Sequence, residues 1–109
     1  MSRAKGTLAE TEATLFLEEK GYTIVERNFY SRFGEIDIIA QKEGVLHFVE
    51  VKSGVDFEKA ILNITPKKLS RIIRTAQVYM KKTVSNMDYE IDAIVVTATS
   101  IEMIENITI

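Results

Sequence analysis

Apolar and polar positions alternate with the two-residue period of strands in several short stretches of this chain, and two longer stretches carry apolar residues at helical spacing. Residues 7–20, TLAETEATLFLEEK, read as a helix opened by Thr7 and closed by Gly21, with Ala9, Ala13, Phe16 and Leu17 on one arc. Residues 22–29 read as a strand. Residues 35–41 and 45–53 read as a β-hairpin turning at Glu43-Gly44. Pro66, the only proline, falls at a first helical position behind a Thr65 cap. The helix it opens runs to Thr83, with an apolar stripe of Leu69, Ile72, Ile73, Ala76, Tyr79 and Met80. Residues 89–97 and 101–109 are β-rich and make a final pair of strands. The order α-β-β-β-α-β-β predicts an α/β fold, a mixed β-sheet flanked by helices.

Composition narrows this further. A chain of 109 residues suits one domain, and a hydrophobic content of 46% argues against disorder. Without cysteine there is neither a disulfide nor a thiolate metal site, and His47, the single histidine, excludes a multi-histidine zinc centre. No apolar run approaches the ~20 residues of a membrane span, and the first residues lack the apolar h-region expected of a signal peptide. The expectation is a soluble, cytoplasmic protein.

The hairpin arms contain charges that a core-forming hairpin would not need. On residues 35–41, Glu35, Asp37 and Ile39 share one face, and Ile36, Ile38 and Ala40 the other. On residues 45–53, Leu46, Phe48, Glu50 and Lys52 share a face. With Glu43-Gly44 as a two-residue loop, Asp37 lies opposite Glu50 and Glu35 opposite Lys52. Two carboxylates about 5 Å apart repel by roughly 3 kcal/mol at an effective dielectric near 20. Lys52, a raised pKa or a bound cation must offset that, and hard oxygen ligands suit Mg²⁺ or Mn²⁺. The bland alternative is a solvent-facing strand pair neutralised by lysine.

Glu10 sits at the edge of the first helix's apolar arc. It either completes a capping box with Thr7 or aims a further carboxylate at the sheet. His47 shares a face with Val45, Val49 and Val51 and reads as a packing or edge histidine rather than a catalytic one. Asp92 reads as structural, capping or pairing with Arg27 or a base of the second helix. The net charge of −2 gives no overall pull toward nucleic acid, but the charges are segregated. From Lys59 to Lys82 the chain has bases and no acid; from Asp88 onward it has acids and no base. The basic helix is either a solvated face or a surface that tracks phosphates.

Taken together, Glu10 with Ala13 and Leu17, Gly21-Tyr22, Asn28, Gly34-Glu35-Ile36-Asp37, Phe48-Val49-Glu50-Val51-Lys52, Lys67 or Lys68, Ala76 with Tyr79, and Asp92 form a pattern that resembles the YraN-like family of small bacterial proteins. That family looks like a branch of the restriction-endonuclease-like, PD-(D/E)XK nuclease superfamily, and is similar to archaeal Holliday-junction resolvases. The resemblance implies one nuclease-like domain over residues 1–109, built on a restriction-endonuclease-like mixed sheet. It implies a metal, Mg²⁺ or Mn²⁺, held by Asp37, Glu50, the Val51 carbonyl and Glu10. Catalysis would rest on Asp37, Glu50, Lys52 and Glu10. Lys67, Lys68, Arg71 and Arg74 would contact the backbone of DNA, with branched or flapped DNA among the forms implied, and two strands would be reached by a homodimer. The alternative is a non-catalytic module of the same fold that binds nucleic acid or protein. Gly54 departs from the pattern where relatives often place an arginine.

Overall fold

The computed structural model describes the backbone of residues 2–108 and the side chains of residues 8–108. The elements are α1 (Ser2–Glu19), β1 (Thr23–Ser31), β2 (Gly34–Lys42), β3 (Val45–Ser53), α2 (Phe57–Ile61), α3 (Pro66–Lys82), β4 (Asp88–Val96) and β5 (Ile101–Ile104). The strands form one open sheet in the order β1-β2-β3-β4-β5. All neighbours are antiparallel except β3 and β4, which run parallel because α2 and α3 carry the chain across between them. The fold is the mixed α/β sheet flanked by helices that the pattern predicts. No described helix is long and apolar enough to cross a membrane.

Each face of the sheet is covered by one long helix. Ala9, Ala13 and Leu17, spaced four apart on α1, pack on Ile38, Ala40, Val49, Ile94 and Val96. On the other face Ile72, Ala76 and Tyr79 of α3 meet Phe29, Ile36, Ile39, Leu46, Phe48 and Ile91. The Tyr79 ring stands edge-on to Phe29 and Phe48, with centroids 5.2 and 5.8 Å away. Thr65 caps α3 by accepting the Lys68 N–H at 3.2 Å, with Pro66 in the first turn, as the sequence predicts.

Four local expectations need correction. α1 begins at Ser2, so Thr7 lies inside a helix rather than at its start, and the capping-box reading of Thr7 and Glu10 falls away. The Thr7 side chain itself is outside the described residues. The short helix α2 was not predicted; its one turn is set by Asp56, whose carboxylate accepts the Lys59 N–H at 2.8 Å. β5 ends at Ile104 instead of continuing toward residue 109, because Asn106 turns with φ 53 and its N–H goes to Asp92 Oδ1 at 2.8 Å. Finally, Ile36 does not share a face with Ile38 and Ala40. It joins Phe29 and Ile39 under α3, while Ile38 and Ala40 lie under α1. The break coincides with Asn28, which has φ 56 and sits between the paired Arg27–Ile38 and Phe29–Ile36.

Asp92 does not pair with Arg27. It is fully buried under α1, where Oδ2 lies 2.6 Å from His47 Nδ1 and Oδ1 takes the Asn106 N–H. The parallel register explains the meeting: His47 is level with Glu90, and Asp92 is two residues further along the same face of β4. His47 is thus a buried packing histidine, edge-on to the Tyr22 ring, as its strand position implies. Burial works against a charged imidazole there. The hydrogen bond and charge of Asp92, joined by Glu90 and Glu105, outweigh it and raise the His47 pKa. Glu90 is pushed up to about 7, chiefly by the hydrogen bond it shares with Asp92 and by burial.

Replacing Asp92 with alanine strands both His47 and the Asn106 N–H, and is expected to cost about 3–5 kcal/mol in chemical denaturation. Both raised pKa values mean that the folded state holds protons which the unfolded chain has released. The stabilisation from Glu90 fades between its ordinary 4.5 and about 7, and that from His47 as pH climbs past its ordinary 6.5. Wild-type stability should therefore fall as pH rises from 6, and fall less steeply in His47→Gln; parallel slopes for the two proteins would contradict this.

Candidate active site

β2 and β3 are paired from Lys42–Val45 to Ile38–Val49 and then part. Past the last pair, the Val51 N–H is taken by a side chain instead of a strand carbonyl: it donates to Asp37 Oδ2 at 2.8 Å. The gap opens into a cavity of ≈ 330 Å³. Its walls are Ala9 and Glu10 of α1, Gly34, Glu35 and Asp37 of β2, Glu50 to Ser53 of β3, and Lys68, Arg71 and Ile72 of α3. Because α1 and α3 lie on opposite faces, they reach this opening from its two sides.

The hairpin register inferred from Glu43-Gly44 is the observed one as far as the strands stay together. Asp37 and Glu50 do come to one place, as walls of the same cavity. Glu35 and Lys52 are not partners: Lys52 Nζ is 3.2 Å from Glu50 Oε2, and Glu35 turns toward Asn28. The separation of the strands is the reason, since side-chain pairing across a ladder ends where the ladder ends.

Asp37 is only 8% exposed. Burial pushes its carboxyl far above the usual carboxylate range, a hydrogen bond shared with Glu50 and the Glu50 charge push it further, and the Val51 N–H opposes them. The Asp37 carboxyl is thereby pushed up to about 9, and Lys52 supplies a positive charge on the Glu50 side. Two of the three remedies for carboxylate repulsion are present at once.

Glu10 points its carboxylate toward the sheet and into the cavity, so the second of its two sequence readings holds. Its pKa is raised by burial first and then by Glu35, against the opposing charge of Arg27, whose Nη2 is 3.8 Å away, and the Asn28 amide. With its NH₂ turned to the acids, Asn28 donates to Glu10 Oε1 at 3.0 Å and to Glu35 Oε2 at 3.3 Å. The amide clamps together two acids from different elements. Glu35, Asn28 and Arg27 were not picked out as site residues. The signal available was Asn28 itself, a poor strand former that tolerates positive φ, placed mid-strand beside charged neighbours.

Among the predicted residues, Asp37, Glu50, Val51, Lys52 and Glu10 line one cavity, together with Lys68 and Arg71. Lys67 and Arg74 are set apart from it, in an adjoining cleft that also includes Arg71. Asp37, Glu50 and Val51 bring oxygen donors to one cavity, the donor type that a small hard cation takes. Among the described residues, the group of three donors whose ligand atoms all lie within 4.8 Å of one another is a different one, His47, Glu90 and Asp92, but Asp92 already uses both oxygens on His47 and Asn106.

Asparagine at position 37 keeps an oxygen for the Val51 N–H while removing a desolvated acid. Asp37→Asn is expected to stabilise the fold at neutral pH by about 1–2 kcal/mol, or roughly 5–10 °C in a thermal melt. A raised native pKa destabilises only above the ordinary 3.8, so the gain should shrink as pH falls toward that value. A loss of stability at pH 7 would show that the acid holds the fold together.

The model of an uncharacterised protein family, UPF0102, matches residues 9–96, a span that runs from the cavity wall of α1 to the end of β4. The chain is 62% identical over 109 residues to a UPF0102 protein of Sulfurimonas denitrificans, covering 100% of both. It is 59% identical to one of Wolinella succinogenes, again over 100% of both, and 54% identical over 106 residues to one of Helicobacter pylori, covering 97% of this chain and 92% of that one. Matched by the family model across most of its length and by such relatives end to end, the chain belongs to the UPF0102 family, the YraN-like proteins.

Proposed function

We propose that this protein is a metal-dependent nuclease of the restriction-endonuclease-like, PD-(D/E)XK kind, hydrolysing phosphodiester bonds in DNA. The observation that carries the reading is Asp37: a buried acid at the point where two strands part, facing Glu50 and its ion-paired Lys52 in one cavity. A cluster that disfavours its own ionisation is costly to a fold and typical of sites that bind or react.

Mg²⁺ or Mn²⁺ would be held by Asp37, Glu50 and the Val51 carbonyl, with Glu10 serving a second ion or a water; when bound it would polarise the scissile phosphate and lower the pKa of a water. The chain's own residues do the rest. Lys52, whose ammonium stands 3.2 Å from Glu50 in the cavity wall, would orient the attacking water and offset charge building on the phosphate. Arg27 and Asn28 hold Glu10 and Glu35 in place. Lys68 and Arg71, on the cavity's opposite wall, offer cations to the phosphate backbone, and Lys67 and Arg74 extend that surface. Cutting both strands of a duplex would require a second copy of the chain. The alternative, a non-catalytic binding module of the same fold, draws on the fact that Lys52 and the Val51 N–H already satisfy part of the acid cluster.

The experiment is twofold. Calorimetric titration of Mn²⁺ should give binding to wild type and to Lys52→Ala but none to Asp37→Asn. Incubation with labelled single-stranded, flapped and branched DNA should give Mn²⁺-dependent cleavage that falls by about 10²–10³-fold in Lys52→Ala and disappears in Asp37→Asn. DNA binding without cleavage of any of these substrates, and without Mn²⁺ uptake even when DNA is present, would favour the binding module.

A further inference from the structure

The tip of the β1–β2 hairpin, Arg32-Phe33, lies outside the acid-lined cavity and is fastened to α3 by a chain of hydrogen bonds. The Phe33 N–H donates to Ser31 Oγ at 3.0 Å, Ser31 Oγ is 2.9 Å from Thr75 Oγ1, and Thr75 Oγ1 donates to the Arg71 carbonyl at 2.9 Å. With the Thr75 proton given to Arg71, the Ser31 hydroxyl is the donor of the middle link. Thr75 is fully buried. A Cβ placed on Gly34 would stand 3.6 Å from Arg71 Cβ, so the hairpin backbone runs along the helix at van der Waals distance.

On this seam the Phe33 ring carries two guanidinium groups, Arg32 Cζ 4.9 Å and Arg74 Cζ 5.4 Å from its centroid. Lys67, Ser70 and Arg71 complete a cleft of ≈ 420 Å³ with no acid in its walls. Within the acid cluster two bases are answered, Arg27 by Glu10 and Lys52 by Glu50. Among the described residues, Arg32, Lys67, Arg71 and Arg74 form no ion pair with a carboxylate. Several like charges oriented by an aromatic plate and a buried hydrogen-bond chain, and left without a counter-charge, are arranged for an anion.

We propose that this cleft is a subsite for the phosphodiester backbone of a nucleic-acid strand, held by Arg32, Arg74 and Lys67 and positioned by Phe33. The guanidinium forks match phosphate oxygens in shape and charge. The ligand is a strand and not an isolated phosphate because Arg71 lines both this cleft and the acid-lined cavity, making one continuous path past the hairpin tip. The inference rests on the nuclease reading for its substrate class, and adds to it the side from which the strand enters and two residues, Arg32 and Phe33, outside the basic helix.

The test is fluorescence anisotropy with labelled single-stranded and duplex DNA between roughly 50 and 200 mM salt. All variants are made in Asp37→Asn so that nothing is cut. Arg32→Ala/Arg74→Ala should lower the slope of log affinity against log salt by about 1.4 on the single strand or about 1.8 on the duplex. Lys81→Ala/Lys82→Ala, which removes the same charge from the far end of α3, should leave the slope unchanged. Phe33→Ala, with no change of charge, should weaken binding several-fold, and Phe33→Tyr should restore it. If Phe33→Ala fails to fold, the two exposed arginines still decide the matter. Equal slope changes in both double variants would reduce the cleft to part of a general basic face and overturn the proposal. Unchanged slopes in both, with DNA still bound, would overturn it while leaving nucleic-acid binding intact. No binding by the wild-type protein to either DNA, with or without Mn²⁺, would remove both readings together.

Discussion

A strand that leaves its neighbour abandons backbone groups that must find other partners, and here the Val51 N–H finds the Asp37 carboxylate. That single bond ties the opening of the sheet to the burial of an acid. If β2 stayed with β3 through position 37, there would be no gap for the cavity, and Asp37 would need no protection from solvent to make its bond. Where it parts, Asp37 sits nearly out of water with its carboxyl pushed up by burial and by the neighbouring Glu50, and Lys52 settles on Glu50. The energetic disadvantage of the buried acid is borne by a sheet whose centre is otherwise dry: Ile38, Ile39, Phe48, Val49 and Ile94 are inaccessible to solvent.

The two helices complete the arrangement in different ways. α1 presents alanines at positions 9 and 13 to the sheet, and small side chains let its backbone approach closely enough for Glu10 to enter the cavity. α3 comes to the opposite face with its bases and is anchored through Thr75 to the hairpin tip. Acids from α1 and the hairpin thus face cations from α3 across one opening. On the α1 face, nearer the start of β3, the buried His47–Asp92 pair ties β3 to β4 and, through Asn106, holds the chain that follows β5.

Much of this was legible from period alone. The alternation of Leu46 and Phe48 against Val49 and Val51, the arcs of both long helices, and the two-residue turn that sets the hairpin register all follow from local rules, and they suffice to bring Asp37, Glu50 and Lys52 together. What local rules missed has a common cause. The displacement of Ile36 depends on an αL residue, Asn28, in a neighbouring strand. The Asn28 clamp on Glu10 and Glu35 joins three elements. The His47–Asp92 pair depends on a parallel register set by a long crossover through α2 and α3, which no two-residue period can reveal. β5 was overextended because the residues after Ile104 have strand propensity, while their hydrogen bonds are claimed by β4 from another direction.

The Glu50–Lys52 ion pair has a thermodynamic consequence. Under the proposed function, a nucleic-acid strand arriving at the cavity without a cation would meet the acids Glu10, Glu35, Asp37 and Glu50, while the ammonium of Lys52 is engaged with Glu50. A cation seated among those oxygens would reverse the local sign and free the ammonium. The two ligands would then favour each other by the same factor in either direction, as linkage requires of binding equilibria. Affinity measured for either one alone would describe a weaker protein than the one that meets both.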